Sequence, residues 1–210
     1  MIDLHTHTFL SDGELIPSEH VHRAYIKGIE VIGLTDHVDP SNIDFIVTRL
    51  VKVSEELNKY FNIKVVPGCE LTHVPPSMIK DLAKEARRLG AKIVVVHGET
   101  IAETVPQGTN RAAVEADIDI LAHPGLIAEE EVKLAKKNGI FLEITARAVH
   151  AFTNGRTANL AEEIGASLIL NTDAHSSKNF IDREFGAKIA LGCGLSLDLL
   201  LSNSRKLLKK

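Results

Sequence analysis

Histidines and carboxylates recur at the ends of short apolar runs in this chain. Seven such runs cover residues 1–7, 31–37, 63–70, 93–97, 118–123, 140–143 and 168–175. One histidine at the end of a strand is common in protein cores, but repetition at the same relative place is not. In barrels of alternating strands and helices, functional residues gather at the carboxyl ends of the strands. The pattern therefore predicts a metal-dependent active site.

Spacing within the runs places candidate ligands in pairs. His5 and His7 are two residues apart, as are Asp173 and His175, and on an extended strand such side chains point to the same face. Alone, a His-x-His pair is as consistent with an incidental surface pair as with a metal site. The other candidate ligands in the chain favour the metal site. Together they number nine: His5, His7, Asp12, His37, Glu70, His97, His123, Asp173 and His175.

Nine ligands exceed the capacity of one ion, since zinc takes about four. A mixture of imidazole and carboxylate suits two or three divalent transition-metal ions, Zn, Mn or Fe, that share a bridging carboxylate.

Other polar residues lie close to the same strand ends. Asp36 adjoins His37 and is expected to accept hydrogen bonds rather than to bind metal. Glu99 and Glu143 are expected near the site, Glu143 either as an acid or base, as a support to a ligand, or as a structural carboxylate that binds loop amides. The remaining histidines are expected to be solvated, in a helix for His20 and His22 and in loops for His73 and His150. Because the loops of His73 and His150 lie at the active end of the barrel, a substrate contact is the alternative for these two.

Composition restricts the class of protein. A chain of 210 residues with 44% apolar residues can form one domain, residues 1–210, with a substantial core. The apolar runs are too short to span a bilayer, and a strand that begins at Ile2 leaves no room for an export signal, so we expect a cytoplasmic protein. Cys69 and Cys193 are then expected to be reduced thiols.

Charge and aromatic content disfavour a nucleic-acid partner. The net charge is −4 and aromatic residues make up 4% of the chain, whereas nucleic-acid sites favour basic patches and stacking platforms. The sequence leaves the oligomeric state open.

Segments with helical spacing separate the apolar runs. They cover residues 17–28, 41–60, 75–90, 128–139, 154–165, 178–192 and 197–208. Apolar strands that alternate with amphipathic helices predict an α/β fold with a parallel sheet covered by helices. A closed or nearly closed barrel is favoured over an open sheet, because strands about 4.8 Å apart in an open sheet would spread the ligands along a line.

The motifs together resemble those of the PHP (polymerase and histidinol phosphatase) domain family, in the family's order and across the whole chain. They are His5-Thr-His7 with Asp12, Thr35-Asp-His37, Gly68-Cys-Glu70, His97, His123-Pro and Asp173-Ala-His175. The resemblance implies a distorted (β/α)7 barrel with a trinuclear metal site at the carboxyl ends of the strands.

The resemblance also implies a division of the ligands among three ions, with Glu70 as the bridge. The first ion takes His5, His7, Glu70 and Asp173, the second takes Glu70, His97 and His123, and the third takes Asp12, His37 and His175. Some relatives have His where this chain has Asp12. The exchange keeps a ligand but makes the third position harder, which favours Mn or Fe over Zn.

Ions about 3.5 to 4 Å apart suit in-line displacement at phosphorus, so the expected reaction is hydrolysis of a phosphate ester. Glu70, Asp173 and Arg147 are the expected catalytic residues. Arginine binds phosphate through a planar fork, and Arg147, Arg111 and Arg183 are the candidates in that order.

A small phosphorylated molecule, of the kind that a histidinol phosphatase hydrolyses, is the expected substrate. The alternatives are a less selective phosphoesterase that acts on nucleotides or oligonucleotide ends, and a non-catalytic metal-binding regulatory module. An amidohydrolase-type barrel also begins with His-x-His, but it commonly has a modified lysine as the bridge where this chain has Glu70.

Overall fold

The computed structural model describes all 210 residues, and a parallel sheet forms its centre. Strands β1 to β8 are Ile2–Asp3, Val31–Leu34, His37–Val38, Lys64–Leu71, Ile93–His97, Ile120–Ala122, Phe141–Thr145 and Leu168–Asn171. The order across the sheet is β1-β2-β4-β5-β6-β7-β8, and β3 also pairs with β4. Every strand pairing is parallel, as continuously buried apolar strands require.

Strands β2 and β3 occupy one position of the barrel. Leu34 pairs with Pro67 and His37 pairs with Glu70, so both short strands run beside β4 with a break between them. At the break, the backbone of Thr35 donates to the Thr6 carbonyl at 2.9 Å instead of continuing the ladder. The seven predicted strand positions are therefore confirmed.

The barrel is nearly closed. The only ladder contact between its first and last strands is a bridge that pairs Thr6 with Ala174, supported by a 2.8 Å hydrogen bond from the His7 amide to the Ala174 carbonyl. The Asn171 side chain accepts from the Leu4 amide at 2.9 Å. Closure places the ends of β1 and β8 side by side.

Helices α1 to α8 follow the strands around the barrel. Their bounds are Pro17–Ile26, Ile43–Tyr60, Pro76–Arg88, Thr109–Val114, Glu129–Asn138, Asn154–Ile164, Arg183–Gly192 and Leu197–Leu207, and a short 3-10 helix covers His150–Thr153. Helix α4 is absent from the predicted elements because six residues show too little periodicity. Helix α7 begins at Arg183, five residues later than predicted, where Asp182 accepts a hydrogen bond from the Phe185 amide and caps it.

One continuous apolar core of 56 buried residues fills the barrel and the layer between strands and helices. Helix α2 buries one apolar face, on which Ile46, Val47 and Leu50 are at most 1% exposed. On β2, a Cβ at Gly33 would lie 2.6 Å from the Leu4 carbonyl oxygen, so only glycine lets the first two strands approach this closely.

The predicted surface position of His20 is wrong. The side chain is fully buried on the inner face of α1, its ring lies 4.8 Å from the Phe180 ring, and neither ring nitrogen has a hydrogen-bond partner. A polar residue type alone suggests a surface position. Val21 and Ala24, which are also buried, show instead that this face of α1 packs against the core. Burial lowers the pKa of His20 to about 4.

Cys69 and Cys193 are both free thiols, as expected, and burial raises the pKa of Cys69 to about 12. No single helix has the length and apolar composition to cross a membrane; only α7 and α8 together, bent by 105°, meet those criteria.

Burial of neutral His20 predicts a loss of stability in acid. The ordinary pKa of 6.5 applies to the unfolded chain, so between pH 6.5 and about 4 unfolding takes up a proton and the free energy of unfolding falls as the pH falls. His20→Leu should flatten this dependence by up to about 1.4 kcal/mol per pH unit in that window. Urea unfolding in chelator from pH 4.5 to 7 measures it, with His22→Leu on the exposed face of α1 as control. Equal slopes for wild type and His20→Leu would contradict the burial argument.

Candidate metal centre

The first cluster of potential ligands lies where β1, β4 and β8 end. The Nε2 atoms of His5 and His7 are 3.1 Å apart. Glu70 Oε1 lies 3.2 Å from His5 Nε2, and Asp173 Oδ1 lies 3.1 Å from His7 Nε2. All four side chains are buried, and donor atoms of His5, His7 and Asp173 lie within 4.8 Å of one another.

A second cluster adjoins the first through Glu70. His123 Nε2 lies 3.9 Å from Glu70 Oε1, and the rings of His97 and His123 meet edge to face with centroids 4.5 Å apart. These residues end β4, β5 and β6, neighbours in the sheet.

A third cluster lies nearer the surface. Asp12 Oδ1 is 3.4 Å from His37 Nε2 and 3.2 Å from His175 Nε2. The His7 ring packs against the rings of both His37 and His175, with centroids 4.1 and 4.2 Å away, and these two rings are themselves 5.6 Å apart. Donor atoms of these four residues lie within 4.8 Å of one another, so His7 adjoins the first and the third cluster.

One unpartnered buried atom tests whether these clusters suit metal ions. Glu70 Oε1 is buried and accepts no hydrogen bond. Leaving such a group unsatisfied costs about 1–3 kcal/mol. A divalent cation bound by Glu70 and the surrounding imidazoles would relieve that cost, and the mixed donor set is one that transition metals favour.

The pKa values of the cluster residues show which protonated imidazoles a bound cation would replace. Burial raises the pKa of Asp173 to about 7, whereas for Glu70 the nearby His5 and His37 outweigh burial and hold its pKa well below the usual value. Burial opposes charge on His37, but Glu70 and Asp12 raise its pKa to about 10. Burial lowers the pKa of His7 well below 6.5. Without cations, protonated imidazoles must balance the buried carboxylates.

The backbone is strained at the cluster. Residues other than glycine rarely adopt positive φ, yet it is 25° at His123, 51° at Asp173 and 53° at His73. The expectation that Asp173 and His175 share the face of an extended strand is therefore wrong. Strand β8 ends at Asn171, and a left-handed turn at Asp173 directs both side chains to the cluster. Such strain gathers at functional sites.

Two carboxylates support the cluster from behind. Glu143 Oε2 lies 2.8 Å from His5 Nδ1 and accepts from Asn171 Nδ2 at 3.0 Å, which turns His5 Nε2 toward Glu70. Asp36 accepts from the amides of Thr8 and Ser11 and so fixes the loop that carries Asp12. Asp36 therefore positions a ligand loop, whereas Glu143 supports His5 and also has a donor atom within 4.8 Å of those of His5 and His123, as a potential ligand would.

Three loop residues lie in different surroundings. Glu99 does not face the cluster, contrary to expectation: its Oε1 accepts from the amides of Gly108 and Asn110 at the start of α4. His150 is not solvated, because the 3-10 helix after β7 carries it inward until only 2% of the residue is exposed. His73 is exposed, as expected, but it lines the cavity above the cluster.

The three candidate arginines have different positions. Arg147 lies at the cavity, where Nη1 donates to the Asp173 carbonyl at 3.0 Å and Nε is 3.4 Å from Asp173 Oδ2. Arg111 pairs with Glu115 and Arg183 with Asp198, both at 2.6 Å on exposed surface outside the cavity lining. The structure therefore brings only Arg147 to the site.

The cavity has a volume of about 430 Å³ and a polar lining of 14 residues, of which only Val38 is hydrophobic. Glu103 at its mouth was missed in the sequence. Its Oε2 is 3.4 Å from both His73 Nε2 and His97 Nε2, and its Oε1 is 3.5 Å from His150 Nε2. Glu103 follows no apolar run, so no spacing signal could have identified it.

A parallel barrel with buried imidazoles and carboxylates at the carboxyl ends of its strands defines a metal-dependent hydrolase. The chain matches the model of the PHP domain over residues 3–198 and belongs to that family, which confirms the resemblance.

Relatives and solved structures agree with this assignment. The chain is 48% identical to the uncharacterized protein MJ1295 of Methanocaldococcus jannaschii, with 99% of this chain and 98% of that protein covered. A chain in the cryo-EM structure of archaeal ribonuclease P with mature tRNA superposes with a TM-score of 0.72 at 18% identity, covering 97% of this chain and 89% of that one. For histidinol phosphate phosphatase from Lactococcus lactis, complexed with zinc, L-histidinol and phosphate, the TM-score is 0.59 at 17% identity, with 99% and 92% covered. At these identities the two structures show the fold alone.

Removal of Glu70 should empty more than one ion position, because its two oxygens face different clusters. We expect two to three equivalents of transition metal per wild-type chain and a loss of more than one equivalent in Glu70→Ala, by elemental analysis after dialysis. Exposed Glu162→Ala on α6 is the control, and circular dichroism checks folding. Less than one equivalent in supplemented wild type, or full metal content in Glu70→Ala, would contradict the shared carboxylate.

Proposed function

We propose that this protein hydrolyses a small-molecule phosphate monoester with two or three divalent Zn, Mn or Fe ions, in the manner of a histidinol phosphatase. The observation that carries the proposal is the arrangement around Glu70, whose carboxylate faces adjoining ligand clusters beneath a small polar cavity. The PHP family assignment and the similarity to a histidinol phosphate phosphatase fold support it.

Nine side chains would hold the ions, divided as the family resemblance implies. His5, His7, Glu70 and Asp173 would hold the first, Glu70, His97 and His123 the second, and Asp12, His37 and His175 the third. When bound, such ions supply an acidified water and positive charge for the phosphoryl oxygens.

Arg147 would bind the substrate phosphate. Its guanidinium is fixed on one side by the Asp173 carbonyl and contacts His175 Nδ1 at 2.6 Å, while about a third of the side chain remains exposed in the cavity. A held guanidinium loses less freedom on binding an anion than a mobile side chain does, which favours a precise phosphate position.

The cavity favours a small molecule over a nucleic-acid strand. Its lining contains no phenylalanine or tyrosine on which a base could stack, and Asp12, Asp39 and Glu103 place negative charge around its mouth. The full set of converging donors likewise disfavours a non-catalytic module. Hydrolysis of nucleotides or oligonucleotide ends becomes one outcome of a substrate test.

Purified protein loaded with Mn or Zn should be assayed against phosphomonoesters that include histidinol phosphate, together with 5′-nucleotides, short oligonucleotides and a phosphodiester. We expect kcat/KM to be highest for a small alkyl phosphate monoester and to be lost in Glu70→Ala. Preference for oligonucleotide ends would favour the alternative, and metal-loaded protein that hydrolyses no ester would contradict the proposal.

Loss of the Arg147 guanidinium should weaken phosphate binding. Arg147→Ala should lower kcat/KM by the equivalent of about 1.5–3 kcal/mol, the value of a hydrogen bond to a charged group, and Arg147→Lys should recover part of the loss because it keeps charge without the fork. Arg111→Ala and Arg183→Ala, at exposed ion pairs outside the cavity, are the matched controls. Steady-state kinetics measures kcat/KM, and metal analysis checks that the metal content is unchanged. A fall in kcat/KM of less than twofold in Arg147→Ala would show that Arg147 does not bind the phosphate.

A further inference from the structure

His150 is a buried imidazole in the cavity wall that has no place among the nine proposed ligands. The 3-10 helix after β7 carries it, and the residue is only 2% exposed. Both ring nitrogens have neighbours whose hydrogen-bonding capacity can be read from the structure. They determine which nitrogen carries the proton.

On the Nδ1 side, the partner is the hydroxyl of Thr100, at 2.7 Å. The Thr100 oxygen already accepts a hydrogen bond from the Ala102 amide at 3.2 Å, and it makes no other contact that could take its proton. Thr100 is itself buried, at 4% exposed. A buried hydroxyl proton needs an acceptor, so Thr100 donates to Nδ1 and leaves the imidazole proton on Nε2.

The Nε2 side leads to the same assignment. Nε2 lies 3.5 Å from Glu103 Oε1 and 4.0 Å from Asp173 Oδ2. An unprotonated Nε2 would direct a lone pair at two carboxylates, whereas Nε2–H is attracted to both. Both sides of the ring therefore favour the same tautomer, Thr100 strongly through a 2.7 Å hydrogen bond and the more distant carboxylates weakly through their charge.

A metal role for His150 fits the ring geometry poorly. Its ring stacks on His123 with centroids 4.3 Å apart and an angle of 18° between the planes. Donor atoms of His97, His123 and His150 lie within 4.8 Å of one another, so distance alone would allow a shared ion. The in-plane lone pairs of the nearly parallel His123 and His150 rings run side by side rather than converge, which disfavours that arrangement.

Arg147 shares the surroundings of His150 Nε2. Arg147 Nε is 3.4 Å from the same Asp173 oxygen that His150 faces, so two donors flank this carboxylate where it meets the cavity. An anion bound beside Asp173 would have a guanidinium and a neutral N–H within reach.

We propose that His150 donates a hydrogen bond from Nε2–H to the phosphate of the substrate, and that Thr100 is a positioning residue that fixes the required tautomer. The proposal rests on the proposed function, since it assigns a second phosphate donor to the same site. Glu103, whose Oε1 lies 3.5 Å from Nε2, is the carboxylate that the phosphate would displace from this side of the ring.

The tautomer is tested on zinc-loaded protein by long-range ¹H–¹⁵N spectra of the histidine rings, with the His150 signals assigned from their absence in His150→Ala. We expect the Nε2–H tautomer in wild type and Thr100→Ser, and a mixture of both tautomers in Thr100→Val. Thr104→Val, at an exposed position in the same loop, is the matched control and should keep the wild-type pattern. The Nδ1–H tautomer in wild type would overturn the proposal.

Binding is tested by calorimetry with inorganic phosphate on the same zinc-loaded proteins. His150→Ala should weaken phosphate binding about three- to tenfold with unchanged zinc content, as loss of one neutral hydrogen bond implies, and Thr100→Val should weaken it less. Phosphate binding in His150→Ala as tight as in wild type, or loss of one equivalent of zinc from that variant, would overturn the role of His150 but leave the proposed function standing. Wild-type protein that binds neither zinc nor phosphate would overturn the proposed function together with it.

Discussion

The burial of Glu70 is the constraint on which the rest of this structure depends. Its carboxylate has no solvent exposure, and a lone buried charge is too costly for a fold to retain. Three strand positions present imidazoles to it: His5 and His7 after β1, His37 in β3 and His123 after β6, with His37 at 2.7 Å and His5 at 3.2 Å. Only a curved, nearly closed sheet brings those strand ends together. Burial of the Glu70 charge and the curvature of the barrel therefore depend on each other.

This constraint also accounts for where the backbone departs from regular structure. Gly33 admits the close approach of the first two strands, and positive φ turns the His123 side chain toward Glu70 and the Asp173 side chain toward His7. Each strained residue costs of order 1–3 kcal/mol. A cation that satisfies the orphaned Oε1 of Glu70 would offset part of that cost, so metal binding and the stability of the strand ends are coupled.

Prediction from the sequence succeeded for features that repeat along the chain and failed where the surroundings of one residue decide its role. The repeated strand ends were enough to predict the barrel. They also predicted that residues as distant in sequence as His5 and Asp173 lie close together, because the carboxyl ends of parallel strands meet at one edge of the sheet. The same reasoning placed His20 and His150 in solvent, since residue type alone does not show that an imidazole is buried. Glu99 and Glu103 lie in one loop, yet one supports α4 and the other faces the cavity. Only the fold of that loop separates them.

Two kinds of residue therefore meet in the cavity, and they are under different constraints. Eight of the nine potential ligands lie at or just after strand ends, and Asp12 comes from the loop after β1. Arg147, His73 and Glu103 come from the loops and the exposed rim of the cavity. Loops positioned by a rigid scaffold can vary without loss of the fold. If the protein hydrolyses a phosphate ester as proposed, the loops after β4, β5 and β7 would contact the leaving group, while the strand ends would hold the ions, so the two could change separately.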